Sequence, residues 1–83
     1  MTYMLFIYDL MTYMFLNKET LTWNKVYVID EHHQDIGYFT RDKDWKLVYK
    51  KTGKYDYTPE ELFKMKTKSV MPFMNTNDMT LVV

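Results

Sequence analysis

The fold is decided by T-W-N-K-V-Y-V-I at residues 22–29, I-G-Y-F-T-R at 36–41 and W-K-L-V-Y-K-K at 45–51. Each run is rich in β-branched and aromatic residues, which suit a pleated, half-buried surface. Short polar segments separate the runs, as turns do between neighbouring strands. The sequence therefore predicts that residues 22–51 form an antiparallel meander of three strands, the core of a small antiparallel sheet of about five or six strands.

The third run has the clearest alternation in the chain. Trp45, Leu47 and Tyr49 occupy every second position, and Lys46, Val48 and Lys50 alternate with them. Because successive side chains of a strand point to opposite faces, this pattern places the three apolar side chains on one face and Lys46 and Lys50 on the other. We expect the first face to be buried and the second to meet water.

Two local features refine the predicted meander. Asp42-Lys43-Asp44 is predicted to form a tight turn, because an aspartate side chain can accept hydrogen bonds from the backbone that follows it. Gly37 lies inside the second run, where a glycine indicates a β-bulge or the close approach of a bulky ring. The second strand is therefore expected to be irregular near Gly37.

The strongest local signal is T-P-E-E-L at residues 58–62. Thr58 is a natural N-cap, Pro59 fits the first helical position, and Glu61 can complete a capping box. One helix is therefore predicted near 59–67.

The fold class that follows is α+β, with residues 1–83 forming a single domain. The apolar tail at 79–83 is predicted to be a final short strand, because leaving it in water would be unfavourable.

Residues 1–16 are almost continuously apolar and admit two readings, a β-hairpin or a buried helix; their aromatic residues favour the hairpin. A membrane span needs about 20 apolar residues, whereas this run is shorter and contains Asp9, so no membrane association is predicted. The tetrad M-T-Y-M occurs at 1–4 and again at 11–14. Met11 is therefore an alternative start, which would make residues 1–10 a dispensable extension.

The composition excludes several kinds of chemistry. The chain has no cysteine, which excludes disulfides, thiolate zinc sites and thiol catalysis. Its two glycines are isolated, so phosphate-cradling loops are absent. The single serine, Ser69, has no histidine near it in sequence. We therefore expect a protein that is not an enzyme and that holds no cofactor.

The segment Glu31-His32-His33-Gln34-Asp35 is the one candidate metal cluster. Adjacent histidines and carboxylates can bind a metal, but their spacing matches no established site. The segment is predicted to be a solvated hairpin loop without a metal. His32 and His33 are kept as candidate contacts for a partner.

A lysine-rich segment with interleaved aromatic residues is the main candidate for a binding surface. Residues 46–54 contain four lysines and no acidic residue. Lysines can contact phosphates and aromatic rings can stack on exposed bases, although the alternation described above places the rings and the lysines on opposite faces. The candidate partner-binding residues are Trp45, Lys46, Tyr49, Lys50, Lys51, Lys54 and Tyr55.

Two hypotheses for function follow. The leading one is a small non-enzymatic protein-binding module, because aromatic and methionine side chains exceed what so small a core needs and are enriched at interfaces. The chain has no alanine and few arginines, which is typical of an AT-rich genome, so we expect a phage or mobile-element protein that binds and modulates a host protein in the host cytoplasm. Residues 1–16 or the terminal strand could also pair in a homodimer. The alternative is a nucleic-acid-binding domain that uses a lysine and aromatic face of the sheet; zero net charge counts against it.

Overall fold

The computed structural model describes residues 14–74 and 76–83, in which strands predominate and one short helix is present. The predicted hairpin or helix at 1–16 and the proposed extension at 1–10 lie largely or wholly outside these residues. The α+β class is confirmed. In chain order the described elements are β1 (Leu16–Asn17), β2 (Thr22–Trp23), β3 (Val26–Ile29), β4 (Asp35–Arg41), β5 (Leu47–Lys51), α1 (Pro59–Lys64), β6 (Ser69–Pro72) and β7 (Met79–Val82).

The main sheet has five strands in the order β5-β4-β3-β7-β6. The predicted meander is present, since β4 is antiparallel to both β3 and β5. The prediction of a purely antiparallel sheet is wrong, because β7 runs parallel to β3. A parallel neighbour needs a long connection, and the chain between β3 and β7 passes through β4, β5, α1 and β6. β7 has a neighbour on each side, which leaves no free edge there for a second copy of the chain.

The sequence had predicted that Thr22 and Trp23 belong to the same strand as β3. They pair instead with Leu16 and Asn17 in a separate two-stranded sheet. The chain leaves the ladder at Asn24, whose buried side chain accepts a hydrogen bond from the Phe15 backbone N–H. The next backbone N–H, that of Lys25, donates to the Asp78 carboxylate at 2.6 Å. These bonds connect the segment between β2 and β3 to Phe15 and Asp78.

The hydrophobic core lies on one face of the main sheet and is closed by α1. Phe39 is 1% exposed and its ring stacks on that of Phe63 of the helix, with centroids 5.5 Å apart. Leu62 of the helix is 2% exposed. A register shift follows Val28 of β3 opposite Gly37, so the bulge predicted there is confirmed. The close approach of a ring is also present, since the Tyr49 hydroxyl occupies the space that a side chain at Gly37 would need.

The helix begins as predicted and ends three residues early. The Thr58 hydroxyl accepts a hydrogen bond from the Glu61 N–H at 3.2 Å, and Pro59 is the first helical residue. The helix stops at Lys64 because Met65 adopts an extended backbone and the chain must reach β6. β6 was not predicted; Pro72 is tolerated there because β6 is an edge strand. No helix among the described residues is both long and apolar enough to cross a membrane.

We call the face of the main sheet opposite the core the tyrosine face. It carries a row of side chains that are mostly polar or aromatic. Strand register places one residue of each of the five strands in this row. Both tyrosines of the row are half-buried. In sheet order the row is Lys50, Tyr38, Tyr27, Thr80 and Met71.

Candidate functional site

The loops that join β3 to β4 and β4 to β5 share one hydrogen-bonded design. In the first loop, the Asp30 N–H donates to the Gln34 carbonyl at 3.1 Å, and the His33 N–H donates to the Asp30 carbonyl at 3.0 Å. The Asp30 carboxylate accepts from the backbone N–H groups of His32 and Gln34 at 2.8 and 2.9 Å. His33 has a φ of 61°, the left-handed conformation that closes this kind of three-residue loop.

The second loop repeats this arrangement from Asp42 to Lys46. The Asp42 N–H donates to the Lys46 carbonyl at 3.1 Å, and the Trp45 N–H donates to the Asp42 carbonyl at 3.1 Å. The Asp42 carboxylate accepts from the N–H groups of Asp44 and Lys46. Trp45 takes the left-handed position with a φ of 66°. The predicted turn is therefore confirmed, and it presents a tryptophan where glycine or asparagine would be favoured.

Left-handed backbone at non-glycine residues is confined, among the described residues, to four positions: Leu21, His33, Trp45 and Met74. This conformation costs roughly 1–2 kcal/mol for a residue with a Cβ. Strain of this kind is concentrated at functional sites in proteins. All four side chains line grooves on the tyrosine face, two in each groove.

The first groove has a volume of about 550 Å³, and we call it the tryptophan groove. It combines two tryptophans and a tyrosine with four cationic side chains. No acidic side chain is among the lining residues that the structure describes. These lining residues are Leu16, Leu21, Thr22, Trp23, Lys25, Tyr38, Thr40, Arg41, Lys43, Trp45 and Lys50.

The two tryptophans of this groove contact each other edge to face, with centroids 4.5 Å apart and ring planes at 74°. Trp45 remains 64% exposed, so much of its ring surface is available to a partner. The Arg41 guanidinium donates to the Trp45 carbonyl at 2.9 Å and thereby supports the strained turn. Trp23 comes from the separate β1–β2 hairpin, so the groove lies between the two sheets.

The second groove has a volume of about 470 Å³, and we call it the methionine groove. Inside it the rings of Tyr27 and Phe73 lie 4.4 Å apart at 31°, and Tyr38 lies 5.7 Å from Tyr27. Burial and the nearby Asp78 carboxylate raise the pKa of Tyr27. The lining residues are Lys25, Tyr27, Ile29, His33, Asp35, Tyr38, Thr52, Met71, Pro72, Phe73, Met74 and Thr80.

Lys25 and Tyr38 line both grooves. The Lys25 ammonium lies over the Tyr38 ring, 4.9 Å from its centroid, as in a cation–π contact. The two grooves are therefore neighbours on one face, with a cation at their boundary.

Two of the predicted partner-binding residues, Trp45 and Lys50, lie together in the tryptophan groove. The alternation had placed them on opposite faces, and that prediction is wrong for Trp45. The reason is that β5 begins at Leu47, so Trp45 belongs to the turn and does not follow the strand pleat. Tyr49 does follow the pleat and packs on Phe39 in the core, with centroids 4.9 Å apart.

The other predicted partner-binding residues, Lys46, Lys51, Lys54 and Tyr55, line neither groove. Lys51 forms an ion pair with Asp56, while Lys46 and Lys54 are exposed. The Tyr55 hydroxyl donates to the Asp30 carboxylate at 3.1 Å. This bond raises the pKa of Tyr55, and it helps the Gln34 N–H lower the pKa of Asp30. Tyr55 therefore supports the first loop from the core side of the sheet.

The two adjacent histidines do not share a groove. His33 lines the methionine groove, whereas His32 is exposed and lines neither groove. Glu31 forms an ion pair with Lys68, which lowers the pKa of Glu31. The part of the chain that the structure describes contains no group of three or more side chains able to hold a metal ion.

Sequence reasoning missed most of the tryptophan groove, because Trp23, Lys25 and Tyr38 come from outside the lysine-rich segment. One usable signal was present. Tyr38 is opposite Lys50 in the β4–β5 register, and a ring directly across from a lysine already shares its face.

Comparisons with family models, curated proteins and solved structures found no match to this chain.

Proposed function

We propose that the protein is a non-enzymatic binding domain that contacts nucleic acid through the tryptophan groove. The observation that carries the proposal is the set of cations around two tryptophans: Lys25, Lys43 and Lys50 with Arg41, and no carboxylate among the described lining residues. Lysine and arginine neutralise phosphates, and aromatic rings stack on bases without regard to sequence. The groove brings both kinds of group to one surface, whereas the strand alternation had placed the rings and the lysines on opposite faces.

The neighbouring acidic side chains are not among the described residues that line this groove. Asp42 belongs to the same turn as Trp45, but its carboxylate accepts two hydrogen bonds from that turn's own backbone. Asp44 is exposed and is not among the lining residues. The local charge of the groove is therefore positive although the net charge of the whole chain is zero.

A fluorescence titration tests the proposal directly, because the two tryptophans of the chain both lie in the groove. Oligonucleotides are added at low salt, and quenching of tryptophan emission is followed as salt is raised. We expect quenching that weakens steeply with salt, with a logarithmic slope of about −0.7 for each phosphate neutralised on a single strand. Absence of binding at tens of micromolar would remove the proposal.

A protein partner is the second candidate, and exposed apolar side chains favour it. Leu21 is 75% exposed and Leu16 40% exposed, and both line the tryptophan groove. Trp, Tyr and Arg are the residues most often found at the energetic centres of protein interfaces. In this proposal, a phage or mobile-element protein would bind a host protein in the cytoplasm.

Capture from nuclease-treated host lysate separates the two candidates. A protein held at one-to-one stoichiometry by the wild type, and lost with Leu21→Ser, would support the protein partner. No stoichiometric capture, with a monomer in light scattering, would reject it.

A further inference from the structure

The two grooves differ in chemistry although they share a face. The tryptophan groove is lined by four lysine or arginine side chains, whereas the described lining of the methionine groove has the shared Lys25 and the Asp35 carboxylate. The Asp78 carboxylate also lies near Tyr27. A phosphate is therefore disfavoured in the methionine groove, while a neutral, flat group is suited to the adjacent rings of Tyr27 and Phe73.

The position of Lys25 connects the grooves. Its ammonium lies over Tyr38 at their boundary, so a chain passing from one groove into the other must pass this cation. The cations and tryptophan rings of the first groove, Lys25 at the boundary and the rings of the methionine groove therefore follow one another across a single face. This order matches the alternation of phosphates and bases along a nucleic-acid strand.

We propose that the ligand is a single strand that crosses both grooves, with a second base site at Tyr27 and Phe73. The inference rests on the proposed nucleic-acid binding. One base stacks on the exposed ring of Trp45, a phosphate lies at Lys25, and a later base enters the methionine groove against Phe73. A duplex cannot bind in this way, because its base faces are stacked on one another and closed to protein rings.

Oligothymidylates of two, four and eight nucleotides test the proposal when titrated against the wild type, Trp45→Leu and Phe73→Leu. Phe73→Leu should leave the dinucleotide affinity unchanged and weaken the octanucleotide about tenfold, as expected for one lost stacking contact. Trp45→Leu should weaken both lengths. Phe15→Leu is the matched control, because Phe15 is 44% exposed and lines neither groove.

Several outcomes would overturn the second base site. One is an equal loss of affinity with Phe73→Leu at every length, and another is no loss of affinity at any length. A third is equal affinity of the wild type for a duplex of the same sequence. A failure of every oligonucleotide to bind the wild type would instead reject the proposed function.

A measurement on the unaltered protein covers the case in which Phe73→Leu does not fold. Ultraviolet cross-linking of the octanucleotide to the wild type, followed by peptide mass spectrometry, should label the peptide that contains Phe73 or the one that contains Tyr27. Cross-links confined to peptides that contain Trp23 or Trp45 would contradict the proposal.

Discussion

The ring of Trp45 meets the ring of Trp23 edge to face, with centroids 4.5 Å apart. One tryptophan belongs to a turn of the main sheet and the other to the separate β1–β2 hairpin. Their contact therefore joins two hydrogen-bonded sheets at the site where four cations converge. An edge-to-face pair contributes about 0.5–1.5 kcal/mol beyond its buried area.

Trp45→Asn is predicted to separate stability from binding. Asparagine tolerates the left-handed backbone at this position, which relieves roughly 1–2 kcal/mol of strain, while the contact with Trp23 is lost. These effects oppose each other, so we expect the free energy of unfolding in urea to change by about 1 kcal/mol or less. Affinity for single strands should fall about tenfold, as for the loss of one stacked base. Retained affinity would show that the tryptophan does not contact the ligand.

Gly37→Ala is predicted to destabilise the fold by about 1–3 kcal/mol, the usual range for overpacking. A Cβ at this position would meet the Tyr49 hydroxyl and the Lys50 carbonyl. Tyr49→Phe removes the hydroxyl, so the double variant should recover part of the loss. Urea unfolding of the wild type, both single variants and the double variant measures this coupling. Strict additivity would contradict the close approach of the Tyr49 hydroxyl to Gly37.

Asp30 is predicted to contribute to stability at neutral pH and to lose that contribution in acid. The Gln34 N–H, the Tyr55 hydroxyl and the His32 N–H hold its folded pKa below the ordinary 3.8. A lowered folded pKa gives stability that is complete above the unfolded pKa of about 4 and is lost as pH falls through the folded value. Asp30→Asn keeps a carbonyl acceptor for the loop but does not titrate. Between about pH 5 and pH 2 its stability should therefore fall less steeply than that of the wild type. Parallel curves would contradict this role.

Thr58→Ala is predicted to weaken α1 without affecting the grooves. Loss of an N-cap hydroxyl costs about 1 kcal/mol, and here the bond to the Glu61 N–H is lost. α1 packs on the core side of the sheet, away from the tyrosine face. Thermal unfolding should shift to lower temperature, whereas oligonucleotide affinity should stay at the wild-type value. A parallel loss of affinity would mean that binding reports on general stability.

Features that depend on neighbouring residues could be predicted from the sequence. The start of α1 at Pro59 follows from its cap, and the Asp42 turn follows from a side chain that bonds the adjacent backbone. The bulge opposite Gly37 was predicted from a single glycine within its strand. In each case the interacting groups are close in sequence, so composition and spacing suffice.

Features that depend on distant residues could not be predicted. The parallel pairing of β3 with β7 joins segments about fifty residues apart, and nothing in either strand specifies the direction. The left-handed turn at Trp45 was hidden because no glycine marks it. The grouping of Trp23 with Lys50 likewise requires the two sheets to be placed together.

The most direct measurement compares Lys50→Ala with Lys54→Ala in salt-dependent binding of a single-stranded oligonucleotide. Both lysines are exposed, but Lys50 lines the tryptophan groove and Lys54 does not. We predict that Lys50→Ala lowers the affinity at low salt and reduces the salt slope by about 0.7, as for one lost phosphate contact, while Lys54→Ala matches the wild type. Equal effects of the two substitutions, or no effect of either, would contradict binding in this groove.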